Sequence, residues 1–110
     1  MKEIKAYLRP HMVDAVVDAL EARPHTPGLT VTDVTGFGHV RGEEATRLVE
    51  RVKLEIVVAD DQVEEVVATI VEKARTGTRG DGKIFVSEVA DAVRIRTGER
   101  GDRAIAPPEE

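Results

Sequence analysis

Val63, Val66, Val67, Ile70, Val71 and Ala74 recur at the three- and four-residue steps that line one stripe of an α-helix. Just before them, Val52, Leu54, Ile56 and Val58 alternate with Lys53, Glu55 and Val57, the period-2 pattern of a strand. Asp60 and Asp61 stand between the two, and Asp61 with Glu64 three places on has the spacing of a capping box. A strand that passes directly into a one-sided helix must lay that helix back on a sheet. Few small architectures allow this.

The remaining segments fit the same plan. Lys2, Ile4, Ala6 and Leu8 share one face of an alternating segment, with Glu3, Lys5, Tyr7 and Arg9 on the other, and Pro10 ends it. Met12, Val13, Val16, Val17 and Leu20 predict an amphipathic helix closed by the stretch 24–28. Residues 29–34, rich in threonine and valine, predict a second strand. Residues 39–51 read as an irregular excursion with a helical turn inside 43–51, because Ala45, Leu48 and Val49 give only a weak stripe. A glycine-rich loop at 76–82, a fourth strand at 83–89 and a short fifth strand at 92–96 complete the order. Strand, helix, two strands, helix, strand is the α+β ferredoxin-like βαββαβ arrangement, here with a short extra C-terminal strand. Its sheet has one face left uncovered, and a trimer whose sheets meet at a common axis would cover it.

The 110 residues, 41% hydrophobic, suit a single domain over 1–110 with a flexible tail at 106–110. There is no cysteine, and residues 1–9 alternate charged and apolar side chains in place of the apolar run of a leader, so a cytoplasmic chain is expected. The formal net charge of -5 disfavours nucleic acid as a partner. An anion could be held only where basic groups gather locally.

Two such places exist. Gly77-Thr78-Arg79-Gly80-Asp81-Gly82-Lys83 has the glycine–lysine spacing of a phosphate loop, but it follows a helix and precedes a strand, and Ile84 stands where a P-loop needs a hydroxyl. A P-loop ATPase is rejected on those grounds. Two readings stay open, a permissive helix-to-strand turn and an anion cradle of backbone N–H groups beside Lys83. Arg94 and Arg96, two apart on the predicted fifth strand, share a face where two guanidinium groups want an anion between them, or else Glu99 and Asp102 as counter-ions. Gly36-Phe37-Gly38 followed by His39 lacks the aromatic residues of an RNA-recognition signature and predicts a turn with room for a base. His11, His25 and His39 have no metal-ligand spacing, and Ser87 has no base near it in sequence. No catalytic constellation emerges.

Residues 76–86 and 93–100, together with Gly36-Phe37-Gly38 and residues 53–58, resemble the B-loop, C-loop and neighbouring regions of the PII signal-transduction family, and the resemblance runs from Met1 to Ile105. It implies a homotrimer binding ATP, ADP or AMP as effectors between subunits. Gly80, Asp81, Gly82 and Lys83 would hold the phosphates, with Arg94 and Arg96 reaching in from a neighbour. Thr30, Gly36, Gly38, Val57 and the segment around Tyr7 match positions about the adenine and ribose. Contacts that distinguish two states of the loop would fall at Gly38, His39, Val40 and Arg41.

The chain also departs from the family. The long T-loop that docks on target proteins is represented only by residues 39–51, without a tyrosine for uridylylation. Val40 replaces a glutamine that helps bind magnesium and 2-oxoglutarate, and it can supply neither a ligand nor a hydrogen bond. Arg51, with Arg41, leaves another carboxylate or bicarbonate as a second effector. Divergent members are associated with transport, inorganic carbon or metal efflux, so the expected partner is a protein target such as a membrane transporter or an enzyme. The alternatives are a slow nucleotide hydrolase and a metal- or bicarbonate-linked trimer with little nucleotide binding.

Overall fold

A computed structural model describes residues 1–24, 26–37 and 48–107. The strands are β1 (Lys2–Leu8), β2 (Leu29–Gly36), β3 (Val49–Val58) and β4 (Gly82–Glu88). The helices are α1 (Val13–Glu21), α2 (Val63–Ala74) and a short α3 (Asp102–Ile105). The strands form one antiparallel sheet in the order β2-β3-β1-β4. This is the ferredoxin-like α+β order expected from the alternation of periods.

Alternation fixes which face meets the helices. Ile4, Ala6 and Leu8 of β1 and Val52, Leu54, Ile56 and Val58 of β3 are buried against Val16 and Leu20 of α1 and Val66 and Ile70 of α2. α1 and α2 also pack on each other. Tyr7, Lys53 and Lys83 lie in register on the opposite face, with Thr32 beside Lys53. Trimming one core methylene tests how tightly this layer is packed. Ile56→Val is expected to cost roughly 0.5–1.5 kcal/mol, read as a lower urea midpoint with an unchanged slope.

Both long helices are entered through a 3-10 turn, Pro10–Met12 and Asp60–Gln62. Arg9 and Ala59 are extended before these turns, and their carbonyls accept the N–H of Met12 at 3.0 Å and of Gln62 at 2.9 Å. The turns take up the entry, and the capping box expected at Asp61 and Glu64 does not form, because Gln62 becomes the N-cap without a side-chain hydrogen bond. The Asp60 carboxylate is used elsewhere, 2.9 Å from the Met1 amine and 3.4 Å from Lys2 Nζ. At the end of α1, the Thr26 hydroxyl donates to the Leu20 carbonyl at 2.7 Å and so satisfies an orphan acceptor.

Two further expectations are corrected. β3 begins at Val49, so residues 49–51 of the presumed excursion are strand, paired with 34–36 of β2. The helical turn expected there falls on residues 43–47 for the rest of its length, outside the described residues. The fifth strand is a single bridge between Val93 and Arg100. The chain reverses instead at Gly98 (φ 76°), whose N–H donates to the Arg94 carbonyl at 2.7 Å, while Arg94 N–H donates to the Glu99 carbonyl at 2.8 Å. Such a reversal uses the ladder groups that a strand would need. A short helix that the sequence did not predict, α3, precedes the tail, whose residues Ala106 and Pro107 are exposed.

Candidate functional site

β4 enters the sheet at Gly82 with φ 110°, and a Cβ there would lie 1.8 Å from the Tyr7 carbonyl oxygen. Only glycine allows β1 and β4 to approach this closely at that point. The preceding loop folds around Asp81. Its carboxylate accepts the N–H groups of Thr76 and Gly77, each at 2.9 Å, and the Thr76 hydroxyl. Arg9, just past β1, donates to the Arg79 carbonyl at 2.6 Å and to the Thr78 hydroxyl at 3.2 Å, and its Nε lies 3.4 Å from Asp81. These donors, the Thr76 hydroxyl foremost, lower the Asp81 carboxyl from 3.8 to about 2.

A carboxyl whose value is depressed on folding stabilises the loop above its unfolded value and loses that contribution as pH falls through the folded value. The Thr76 and Gly77 amide shifts are therefore expected to stay constant from neutral pH through the ordinary carboxylate range, and to move only as pH nears about 2. Titration of those amides near 3.8 would contradict the assignment.

With its carboxylate engaged in this way, Asp81 builds the loop and has only its N–H to offer an anion. The N–H groups of Arg79, Gly80 and Asp81 find no acceptor among the described residues. Positive charge surrounds them, since a Cβ at Gly80 (φ 94°) would sit 3.0 Å from Arg9 Nη2 and 3.5 Å from Arg51 Nη2. Lys83 lies opposite Tyr7 in the β1–β4 register. Consecutive free amides at a positive-φ glycine, ringed by cations, form an anion nest. The nest opens on a cavity of about 550 Å³ lined by Tyr7, Gly36, Phe37, Val49, Arg51, Gly80, Asp81, Gly82, Lys83 and Phe85. Tyr7 meets Phe85 edge to face at 6.1 Å and 80°.

A second cavity of about 570 Å³ lies at the other end of the same strands, lined by Glu3, Gly28, Thr30, Glu55, Val57, Arg94, Arg96 and residues 104–107. Six residues separate Gly36 from Thr30 along β2, and six separate Arg51 from Val57 along β3. At the rise of an extended chain, that puts the cavities about 20 Å apart. The site residues expected from sequence therefore divide. Tyr7, Gly36, Arg51, Gly80, Asp81, Gly82 and Lys83 meet in the first cavity, and Thr30, Val57, Arg94 and Arg96 in the second. Gly38, His39, Val40 and Arg41 lie outside the described residues. Arg94 and Arg96 share a cavity through the turn at 95–97 and not through a common strand face.

Sequence reasoning missed Phe37 and Phe85 in the first cavity, Arg9 against the loop at Gly80, and residues 104–107 in the second cavity. The alternation that placed Arg9 on the face of Tyr7 was the available signal for it. Among the described residues no group of three or more histidine, aspartate or glutamate side chains is arranged to hold a metal, and no helix is long and apolar enough to cross a membrane.

The family described as "Nitrogen regulatory protein P-II" matches residues 1–99. The chain is 46% identical to the nitrogen regulatory protein P-II of Cereibacter sphaeroides, over 96% of this chain and 100% of that protein. It is 47% identical to nitrogen regulatory protein P-II 1 of Escherichia coli (strain K12), with the same coverage of both chains. It is 46% identical to the nitrogen regulatory protein P-II homolog of Arabidopsis thaliana, over 93% of this chain and 56% of that longer protein. All three carry the nitrogen-regulatory name.

Proposed function

The chain belongs to the nitrogen regulatory protein P-II family, a PII-type signal-transduction regulator, and from that premise we propose that it senses adenine nucleotide bound between subunits of a homotrimer. The observation that carries this reading is the division of the site. One cavity has the free amides, Lys83 and Arg51 suited to phosphates, with Arg9 against Gly80. The other has Thr30, Val57 and the uncharged residues 104–107 suited to a base, with Arg94 and Arg96 also in its lining. Because about 20 Å of strand separates them, a single ligand touches both only by lying between two copies of the chain. Val40 supplies no ligand oxygen, so magnesium would be held through the phosphates. Arg51 beside Gly80 leaves room for a second small anion such as a carboxylate or bicarbonate.

The output is a change in what residues 39–51 present to a protein partner, such as a membrane transporter or an enzyme. A nucleotide moves that loop only by its differential affinity for the two loop states. The test is calorimetric titration with ATP, ADP and AMP, paired with native mass spectrometry. A trimeric mass, one nucleotide per chain and no turnover are expected. Full-affinity binding to a monomer, or no binding of any of the three, would overturn the proposal, and catalytic ADP release would favour a hydrolase.

A further inference from the structure

Asp81, Gly82 and Lys83 line two cavities at once, the first cavity described above and a further one of about 280 Å³ on the helix side of the sheet. Leu8 and Ile84 line the further cavity from the sheet, and Val67, Ile70, Val71 and Ala74 line it from α2. It exists because β4 is an edge strand whose helix side stays open. Ile84 is only partly buried, and Val71 and Val86 are 41% and 45% exposed. Tyr7, Lys53 and Lys83 mark the opposite face of the sheet, so copies that meet through that face leave this cavity accessible.

Its volume is at the small end of the roughly 300–1,000 Å³ usual for small-molecule sites, which suits a short aliphatic body. Of the charged groups in its lining, the Asp81 carboxylate already accepts the Thr76 and Gly77 N–H groups. Lys83 alternates onto the opposite face, in register with Tyr7. Arg75 remains. Its N–H closes α2 on the Val71 carbonyl at 3.0 Å, and its exposed side chain makes no ion pair among the described residues. An unengaged guanidinium beside apolar walls suits one carboxylate head. We propose that this cavity is a second ligand site, for a small aliphatic carboxylate, and that its occupation braces the loop at 76–82 from behind. The shared wall is thin, because Gly82 has no side chain and lies against the Tyr7 carbonyl. A ligand between α2 and Gly82 favours the loop arrangement in which the N–H groups of Arg79, Gly80 and Asp81 have no acceptor. Phosphate binding needs the same arrangement, so each ligand strengthens the other by the same factor. That cooperation rests on the nucleotide reading given above, and the carboxylate site does not.

Two measurements test it. The first needs no nucleotide and follows the Val67, Val71 and Ile84 methyl resonances during titration with hexanoate, hexanol and adipate. Hexanoate should shift them saturably. Hexanol should bind about threefold more weakly, the size of an exposed charge pair, and adipate should not bind, because its second carboxylate would enter the apolar wall. No saturable shift with hexanoate, or adipate binding as well as hexanoate, overturns the site. Arg75→Gln should lower hexanoate to the affinity of hexanol, and an unchanged affinity overturns the role of Arg75. Val71→Asp should abolish binding of both, and Val71→Ser, which should weaken both, serves if that variant does not fold.

The second reads the bracing in two ways. With saturating hexanoate, the Thr76 and Gly77 amides, bonded to Asp81 at 2.9 Å, are expected to exchange with deuterium about threefold more slowly or less. Equal exchange overturns the bracing, whether or not the protein binds nucleotide. ATP affinity by calorimetry should rise about fivefold or more in saturating hexanoate. Unchanged or weaker ATP binding, with the methyl shifts present, overturns the cooperation. Failure of the parent protein to bind ATP at all would defeat the nucleotide reading and leave the methyl and exchange results standing.

Discussion

Gly82→Ala should unfold the protein well below the parent's melting temperature and abolish the first cavity with it. At φ 110° an L side chain is strained by about 1–3 kcal/mol even in open space. Here the new Cβ also meets the Tyr7 carbonyl oxygen at 1.8 Å. That oxygen is backbone in a paired strand and has no rotamer to escape into. Relief comes only by parting β1 from β4 where Leu8 faces Gly82, or by turning the loop that carries Asp81. A combined loss of about 3 kcal/mol or more corresponds to a fall of some 12 °C or more for a domain of this size. Gly80→Ala is the control. Its positive φ is similar, but its Cβ meets the far end of the Arg9 side chain at 3.0 Å, which can swing aside. Thermal unfolding of the pair checks the argument, and equal melting temperatures would refute it.

Lys83→Ala should leave folding almost untouched and remove most of the affinity for phosphorylated ligands. Lys83 is exposed at the start of β4, and exposed substitutions away from special geometry change stability by about 0.5 kcal/mol or less. A charged hydrogen bond to phosphate contributes roughly 1.5–3 kcal/mol when shielded, and less where water screens it. The expected loss for ATP is therefore about tenfold, rising toward a hundredfold if the neighbouring subunit closes over the site. Adenosine, which has no phosphate, should bind as before. Calorimetry on both ligands decides the matter, and an equal loss for both would place Lys83 at the base.

The parts of the fold that could be read in advance are those where burial has a period. Ile4, Ala6 and Leu8, the β3 alternation and the α2 stripe each repeat at an interval set by their own element, and all are buried where that interval puts them except Val67, which is half-buried, and Val71, which is exposed. What escaped depends on contacts remote in sequence. Nothing near Asp61 says that a backbone turn will make its cap redundant or that Asp60 will pair with Met1. Val93, Arg94, Ile95 and Arg96 alternate as a strand would, yet Gly98 closes a turn before pairing can extend beyond one bridge. Ile95 is left 99% exposed, which no alternating pattern foretells.

The candidate site followed the same division. The glycines and Lys83 were visible because their spacing is local. Arg9 was placed on the correct face but given no role, since its partners Arg79 and Thr78 are about seventy residues away. Residues 104–107 gave no signal at all. They reach the second cavity where the Arg94 guanidinium meets the carbonyls of Arg103, Ala104 and Ala106, contacts that no local pattern announces.

β3 runs unbroken for ten residues and is paired along one side with β2 and along the other with β1. Arg51 near its start and Val57 near its end belong to different cavities. A strut braced on both flanks cannot shorten or bend cheaply, so the gap between the two cavities is constant within each chain. If the protein is the trimeric sensor proposed above, any message leaves through the joints between copies or through the segment 39–51, and probes placed along the middle of β3 should stay silent while those at its ends respond.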